Sequence, residues 1–272
     1  MNNNEEVYLS NRFIFNINGE DGFEFLQSLV TAEIKPLYEK KAVASCLLTP
    51  QGRILFDFII YPSENISNNF SVFVDCDEIE KDELIKRMSL YKLRSSVDII
   101  ERPEKGISIC YSGGEQSFFD PRHKKLPNRK IVNRKNLIAY ENESNNYNNF
   151  RESLCVAEGQ KEIPRGKALP LDYWMDKTGQ VSFKKGCFIG QEVTARVYHR
   201  NKVRRRLIVV DLDDKKSELE RVPSQEFKLI YISKNNAFLL APIDFIERET
   251  KNKNSNKIKW SKYNLKFFSY SQ

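Results

Sequence analysis

The spacing of apolar residues changes period several times along the chain, and each change predicts an element. Arg12–Asn18 (RFIFNIN) alternates with period two, as a half-buried strand does, and Gly19 ends it. Asp21 then stands where a helix cap belongs, ahead of Phe23, Leu26, Leu29 and Val30 at helical spacing. Val43–Leu48 and Arg53–Tyr61 are strand-like runs joined by Thr49-Pro50-Gln51-Gly52, a hairpin with Pro and Gly as its punctuation. Phe70–Asp75 predicts another strand. Asp77 or Glu78 opens a helix through Leu84, Ile85, Met88 and Tyr91, and short strands follow at 97–100 and 107–111. Strands and helices without βαβ regularity predict an α+β fold.

The Lys-, Arg- and Asn-rich stretch 120–149 predicts an excursion over the surface, followed by a helix over 147–157 that Gly159 ends. From Leu207 the pattern becomes short apolar runs (207–212, 227–231, 237–240) between polar turns. This predicts a small all-β, barrel-like region beginning near Lys202.

At 272 residues the chain has room for two domains at about 150 each, and a core that needs no disulfide or metal staple. Its 40% apolar and 30% charged residues exclude disordered and fibrous classes. No apolar run approaches the roughly 20 residues of a membrane helix, so no membrane association is expected. The polar start, Met1-Asn-Asn-Asn-Glu-Glu6, predicts a cytoplasmic protein. Five scattered cysteines without a CxxC pair argue against a disulfide framework, and two isolated histidines against an intrinsic metal site. Charge is lopsided: residues 1–200 carry 28 basic and 28 acidic side chains, whereas 201–272 carry 16 and 9. The excess, in Lys202–Arg206 and the Lys251–Lys266 segment, suits either a polyanion such as nucleic acid or an ordinary solvated face.

One window stands apart: Lys184-Lys185-Gly186-Cys187-Phe188-Ile189-Gly190-Gln191-Glu192, leading to Ala195-Arg196. The glycines permit close backbone approach, and a thiol beside two lysines and a helix start sits in a field that favours thiolate. The alternative is a small buried hydrophobe, the commonest fate of a cysteine.

These residues resemble the K-G-C-[YF]-x-G-Q-E signature of the YgfZ family, folate-binding proteins related to the glycine-cleavage aminomethyltransferase. The resemblance continues through Glu162–Asp172 upstream and Asn18–Asp21, Phe25–Gln27, Thr31 and Leu48–Ile54 at the start, and fades in the last quarter. It implies interleaved α+β domains around a central folate-binding channel, over residues 1–200 with an inner part at about 46–101, plus a small β-barrel at 201–272. It also implies a tetrahydrofolate cofactor, a role in assembly or repair of [4Fe-4S] proteins with client proteins or assembly factors as partners, and Cys187 as the functional thiol at the mouth of a pterin cavity. Lys185, Gly186, Gln191, Glu192 and Arg196 occupy the signature positions. Three departures stand out: Arg200-Asn201 for a common Arg-Gly, Cys155-Val-Ala-Glu158 for Gly-[Ile/Val]-Pro-Glu, and Phe56-Asp57 for a pair of aspartates.

A folate site needs an acid for the amino-pyrimidine edge, for which Glu158, Asp172 and Glu192 are candidates. It needs apolar walls, from Tyr173, Trp174, Phe183 or Phe188, and cations for the glutamate tail, from Arg196, Arg200 and Arg204–Arg206. The alternatives are a folate-dependent aminomethyl or other one-carbon transferase and, on the basic last quarter alone, an RNA-binding factor, for which the resemblance implies a link to tRNA modification.

Overall fold

The computed structural model describes residues 6–64, 66, 69–111, 116–136, 141–212, 216–251, 257–260, 262 and 265–270. The start of the polar N-terminus and much of the Lys251–Lys266 segment lie outside the described residues. Three antiparallel sheets organise the fold.

The central sheet has five strands in the order β3 (Val43–Leu48), β4 (Ile54–Pro62), β5 (Ser71–Asp77), β2 (Arg12–Asn18), β6 (Asp98–Glu101). Its strands buried on both faces carry the core. On β2, Phe13, Phe15 and Ile17 pack with Leu26 of α1 (Gly22–Leu29) and with Leu84 and Met88 of α2 (Lys81–Lys92). The opposite face of β2 carries Arg12, Ile14 and Asn16, and Ile14 meets the second sheet. That sheet runs β1 (Glu6–Leu9), β7 (Lys105–Cys110), β9 (Asn128–Asn133), β8 (Ser117–Phe118). β2 is therefore buried on both sides, not on one as its alternation predicts, because polar Arg12 and Asn16 find buried partners. Consecutive strands β1 and β2 enter different sheets, which interleaves the α+β layers.

The third sheet runs β11 (Lys228–Ile232), β12 (Asn236–Pro242), β10 (Arg205–Asp211), β14 (Leu265–Ser269), β13 (Lys257–Trp260). Leu207 and Val209 point toward the β3–β4 hairpin, while Ile208 and Val210 pack with Phe245 and Ile246 of α7 (Ile243–Thr250). Among the described residues β11 and β13 are unpaired edges, so this sheet is open. The expected barrel is corrected to an open sheet covered on one face by α7.

A second correction concerns 120–149. Asp120, Arg122, His123 and Arg129 are all buried, and β9 and most of α3 (Glu141–Ser153) lie in this stretch. Charge density predicted exposure, but cations and carboxylates that neutralise one another can be interior.

Candidate functional site

The signature segment is held mainly by backbone. Gly190, at φ 80, precedes α5 (Gln191–His199), and a Cβ there would collide with the Thr49 carbonyl oxygen of the β3–β4 turn. Gly52 in that turn, at φ 74, approaches α5 in return: an added Cβ would lie 3.0 Å from Thr194 Oγ1. Lys185 is buried and its Nζ donates to the carbonyls of Gln27 (2.5 Å), Val30 (2.6 Å) and Ala32 (3.0 Å). It thus satisfies carbonyls at the end of α1 with all three of its N–H groups. Burial lowers its pKa to about 8, against the opposing pull of Glu33. Its task here is to pin the loop. Gln191 Oε1 accepts from Phe188 N at 3.3 Å, closing the same bend. Gly186 has open space around its Cα, so the bend does not require it.

Cys187 is exposed, as are Glu192, Arg196 and Arg200. Asn201 takes the left-handed conformation, φ 50, so the turn survives without glycine. Phe183, four residues before Cys187, and Tyr198 of α5 stack at 3.9 Å.

Glu158 lies elsewhere, in a buried charge network that joins the sheets. Arg129 reaches Asp75 (2.7 Å), Asp120 (3.0 Å) and Glu158 (2.6 Å). Arg12 donates to Asp75 at 2.6 Å, and Arg122 to Glu158 at 2.5 Å and Asp120 at 2.7 Å. Three guanidiniums meet three carboxylates, so charge balances inside. Burial alone would raise the Glu158 pKa, but Arg129, Arg12 and Arg122 outweigh it and hold the carboxyl well below its ordinary value. Asp57 stands at the edge of this network and accepts from Gly159 N at 3.1 Å. Burial raises its pKa to about 6, against Arg12.

A cavity of about 640 Å³ opens onto Glu158 from between the β1–β2 turn, α3, α4 (Gly159–Glu162) and the β11–β12 turn. Its other buried acids are Asp77, Glu152 and Glu162, with Arg151 beside them. Arg151 takes Glu162 in a bidentate pair at 2.7 Å and 2.7 Å. Glu152 differs: its Oε2 accepts from Asn236 Nδ2 (2.6 Å) and Ser233 Oγ (2.9 Å), and among the described residues it has no cation partner within 4 Å and nothing bonded to Oε1. The sequence reading missed Glu152. Its signal was the pair Arg151-Glu152 closing an Asn-rich helix, which reads as surface until β12 is placed against it.

Asp172 occupies a different, more apolar cleft of about 340 Å³, with Val193 and Val197 of α5 on one side and Lys202, Arg204 and Arg205 at its rim. Burial raises its pKa to about 6, against Arg206 and Arg205. The predicted site residues therefore fall into three places. Cys187 lines neither cavity, which corrects its expected position at the mouth of a pterin cavity: the segment that carries it is folded onto the β3–β4 turn and α1. The expected aromatic walls are corrected too. Tyr173 and Phe188 are core residues, Trp174 Nε1 donates to Leu207 O at 2.8 Å, and Phe183 is spent on Tyr198. Tyr231 is the aromatic that lines the larger cavity. Arg206 is engaged by Asp176 at 2.5 Å and 3.0 Å and packs on Trp174.

This architecture is that of the glycine cleavage aminomethyltransferases. The structure of aminomethyltransferase T from Bartonella henselae matches it with a TM-score of 0.59 at 9% identity, covering 98% of this chain and 84% of that one. Homologues by sequence are iron–sulfur cluster assembly factors, in agreement with the YgfZ-family resemblance. The chain is 30% identical over 229 residues to "Iron-sulfur cluster assembly factor IBA57 homolog, mitochondrial" of Neurospora crassa, covering 74% of this chain and 52% of that protein. It is 29% identical over 231 residues to "Iron-sulfur cluster assembly factor IBA57, mitochondrial" of Homo sapiens, covering 74% and 65%. The chain thus spans between half and two thirds of these relatives. No protein-family model matches it. The expected cytoplasmic location is overturned, since these relatives are named mitochondrial. A polar opening segment does not identify a compartment. Among the described residues no helix is long and apolar enough to cross a membrane.

Proposed function

We propose that this protein is an iron–sulfur cluster assembly factor that binds a reduced folate in the 640 Å³ cavity and works through Cys187 at its surface. The assembly role rests on the named activity of its homologues. The folate reading rests on one observation: a buried carboxylate, Glu152, oriented by two neutral donors and with an oxygen left over, in a cavity of folate size. The remaining oxygen is suited to accept an N–H bond from an amino-pyrimidine edge. Glu158 is less suited, because Arg122 and Arg129 already claim one of its oxygens and Arg12 stands 3.7 Å from the other. A bound tetrahydrofolate supplies one-carbon or reducing chemistry; the residues described here hold and orient it.

Cys187 is the exposed cysteine of the five; the other four are buried. One thiolate alone does not hold an iron–sulfur cluster, so its chemistry needs a partner protein's ligands. The transferase alternative draws on the shared fold and on Asp57, but Asp57 is not among the residues lining the cavity.

Calorimetric titration with tetrahydrofolate tests the site. Binding should weaken at least about tenfold in Glu152→Gln and stay unchanged in Asp172→Asn. Absence of binding, or dependence on Asp172 instead, overturns the assignment. For the thiol, Cys187→Ala should leave folate affinity intact and lower the activity of cluster-dependent enzymes in a complemented deletion strain; unchanged activities remove it from the mechanism.

A further inference from the structure

The smaller cleft, of about 340 Å³ beside α5, combines an apolar wall with a cationic rim. Val193 and Val197 stand one helical turn apart on α5 and so share a face, and Leu169 lines the same space. Val193 is 41% exposed, although an apolar side chain of a surface helix ordinarily turns toward the core. Lys202, Arg204 and Arg205 also line the cleft. Lys202 and Arg204 have no side-chain hydrogen bond or ion pair among the described residues, and Arg205 donates to the Gln225 carbonyl at 3.3 Å. Asp172 is the one acid in the lining, and its carboxyl has no hydrogen-bond partner among the described residues. Arg53 and Lys228 lie close enough to act on it electrostatically, which adds to the cationic excess.

From this arrangement we infer that the cleft docks an acidic segment of a partner protein. An apolar anchor residue enters between Leu169, Val193 and Val197, and carboxylates on either side of it meet Lys202, Arg204 and Arg205. Each feature of the cleft narrows the occupant. The aliphatic wall takes a side chain stripped of water. The cations, in excess over a single acid, take carboxylates. The Asp172 carboxyl is an acceptor, and a peptide carries a backbone N–H beside every anchor. A single-stranded nucleic acid fits less well, because it is held by stacking on aromatic rings and no aromatic residue lines this cleft.

The place of the cleft gives the docking a purpose, and this part of the inference rests on the assembly reading above. Cys187 stands four residues before Gln191, the first residue of α5. At most about 3.6 Å per residue along that connection, and about 5 Å from Gln191 to Val193 within the helix, keep the two Cα atoms within roughly 20 Å. A stable interface covers about 800 Å² per partner, a patch roughly 30 Å across, so one docked protein spans both cleft and thiol. The thiol needs a partner's ligands to hold a cluster, and the docked segment is what brings them there. The carboxylate contacts lie at exposed cations, so they are individually weak and screened by salt. The apolar anchor is not screened, and binding therefore requires both parts.

The experiment measures fluorescence anisotropy on the full chain with labelled peptides: Asp-Glu-Leu-Leu-Asp-Glu, the same peptide with alanine for both leucines, and the same with Asn and Gln for its acids. A labelled uridine oligonucleotide is the remaining probe. Wild type should bind the first peptide at least about tenfold tighter than the other two, with affinity falling severalfold between about 0.1 M and 1 M salt. Val193→Asp and the pair Lys202→Ala/Arg204→Ala should each weaken it about tenfold. Val193→Ile should keep it, and the exposed pair Lys86→Ala/Arg87→Ala on α2 should behave as wild type. No binding of the first peptide, equal binding of the alanine peptide, or binding that survives Val193→Asp overturns the inference. Tighter binding of the oligonucleotide also overturns it and assigns the surface to nucleic acid. In a complemented deletion strain Val193→Asp should lower the activities of cluster-dependent enzymes; unchanged activities overturn the link between docking and assembly. If instead Cys187→Ala leaves those activities unchanged while the peptide results hold, the thiol reading falls and the docking site stands. Circular dichroism on the variants confirms that the fold is retained.

Discussion

Around Cys187 the chain is positioned by backbone, whereas around Glu158 it is positioned by side-chain charge. In the first region a lysine caps three carbonyls and two glycines let a turn and a helix start approach closely. Almost every contact is made within one short motif or to its immediate support, and the working side chains are left in solvent. In the second region Arg12, Asp75, Asp120, Arg122, Arg129 and Glu158 come from five places along the chain and are all interior. A backbone-held site tolerates side-chain replacement at its exposed positions; a charge-held site fails when one partner is removed.

The largest effect should come from breaking the network. Arg129→Met leaves Asp75, Asp120 and Glu158 short of a cation inside the protein, and urea denaturation should show a loss of about 3–5 kcal/mol. A loss under about 1 kcal/mol would mean that water reaches the network. Next is Gly190→Ala, which forces a left-handed alanine into the Thr49 carbonyl; it should cost about 2–3 kcal/mol, while Gly186→Ala, in open space, should cost under about 0.5. Equal costs would show that the hairpin contact does not support the signature.

Asp57 sharpens the contrast through pH. Its folded pKa of about 6 lies above its ordinary 3.8, so the native state binds more protons than the unfolded state between those values. Stability attributable to this group is present below about pH 4 and is lost as pH rises to 6, for a cost of roughly 2–3 kcal/mol at neutral pH. Asp57→Asn should therefore flatten the stability profile between pH 4 and 6 and match or exceed wild type at pH 7.5. The opposite slope would mean that Arg12 outweighs burial. The smallest effect belongs to Cys187→Ser, which should change stability by less than about 0.5 kcal/mol because the side chain is exposed.

Much of the fold was legible from periodicity. The β3–β4 hairpin is found where its two apolar runs and the Thr49–Gly52 turn predict it, and β2 over the residues that its pattern marks. Prediction failed where burial was achieved by charge: the stretch holding Asp120, Arg122 and Arg129 reads as surface because Asp75 and Glu158, which complete its charge balance, are far away in sequence. It failed again at the last strands, since β13 and β14 follow a Lys- and Asn-rich run with no clean alternation of its own.

Local sequence determined the elements, the α+β class and the eight-residue signature, because helix and strand periods and a glycine-hinged bend are set by residues within a turn or two of each other. Only the tertiary structure decided that Lys185 is a backbone clamp, that Asp172 and Glu158 face separate cavities, and that Glu152, like Asp77, is a buried carboxylate with an oxygen left unbonded among the described residues. Those outcomes depend on which side chains from distant strands neutralise one another, and long-range charge pairing leaves no periodic trace in the chain.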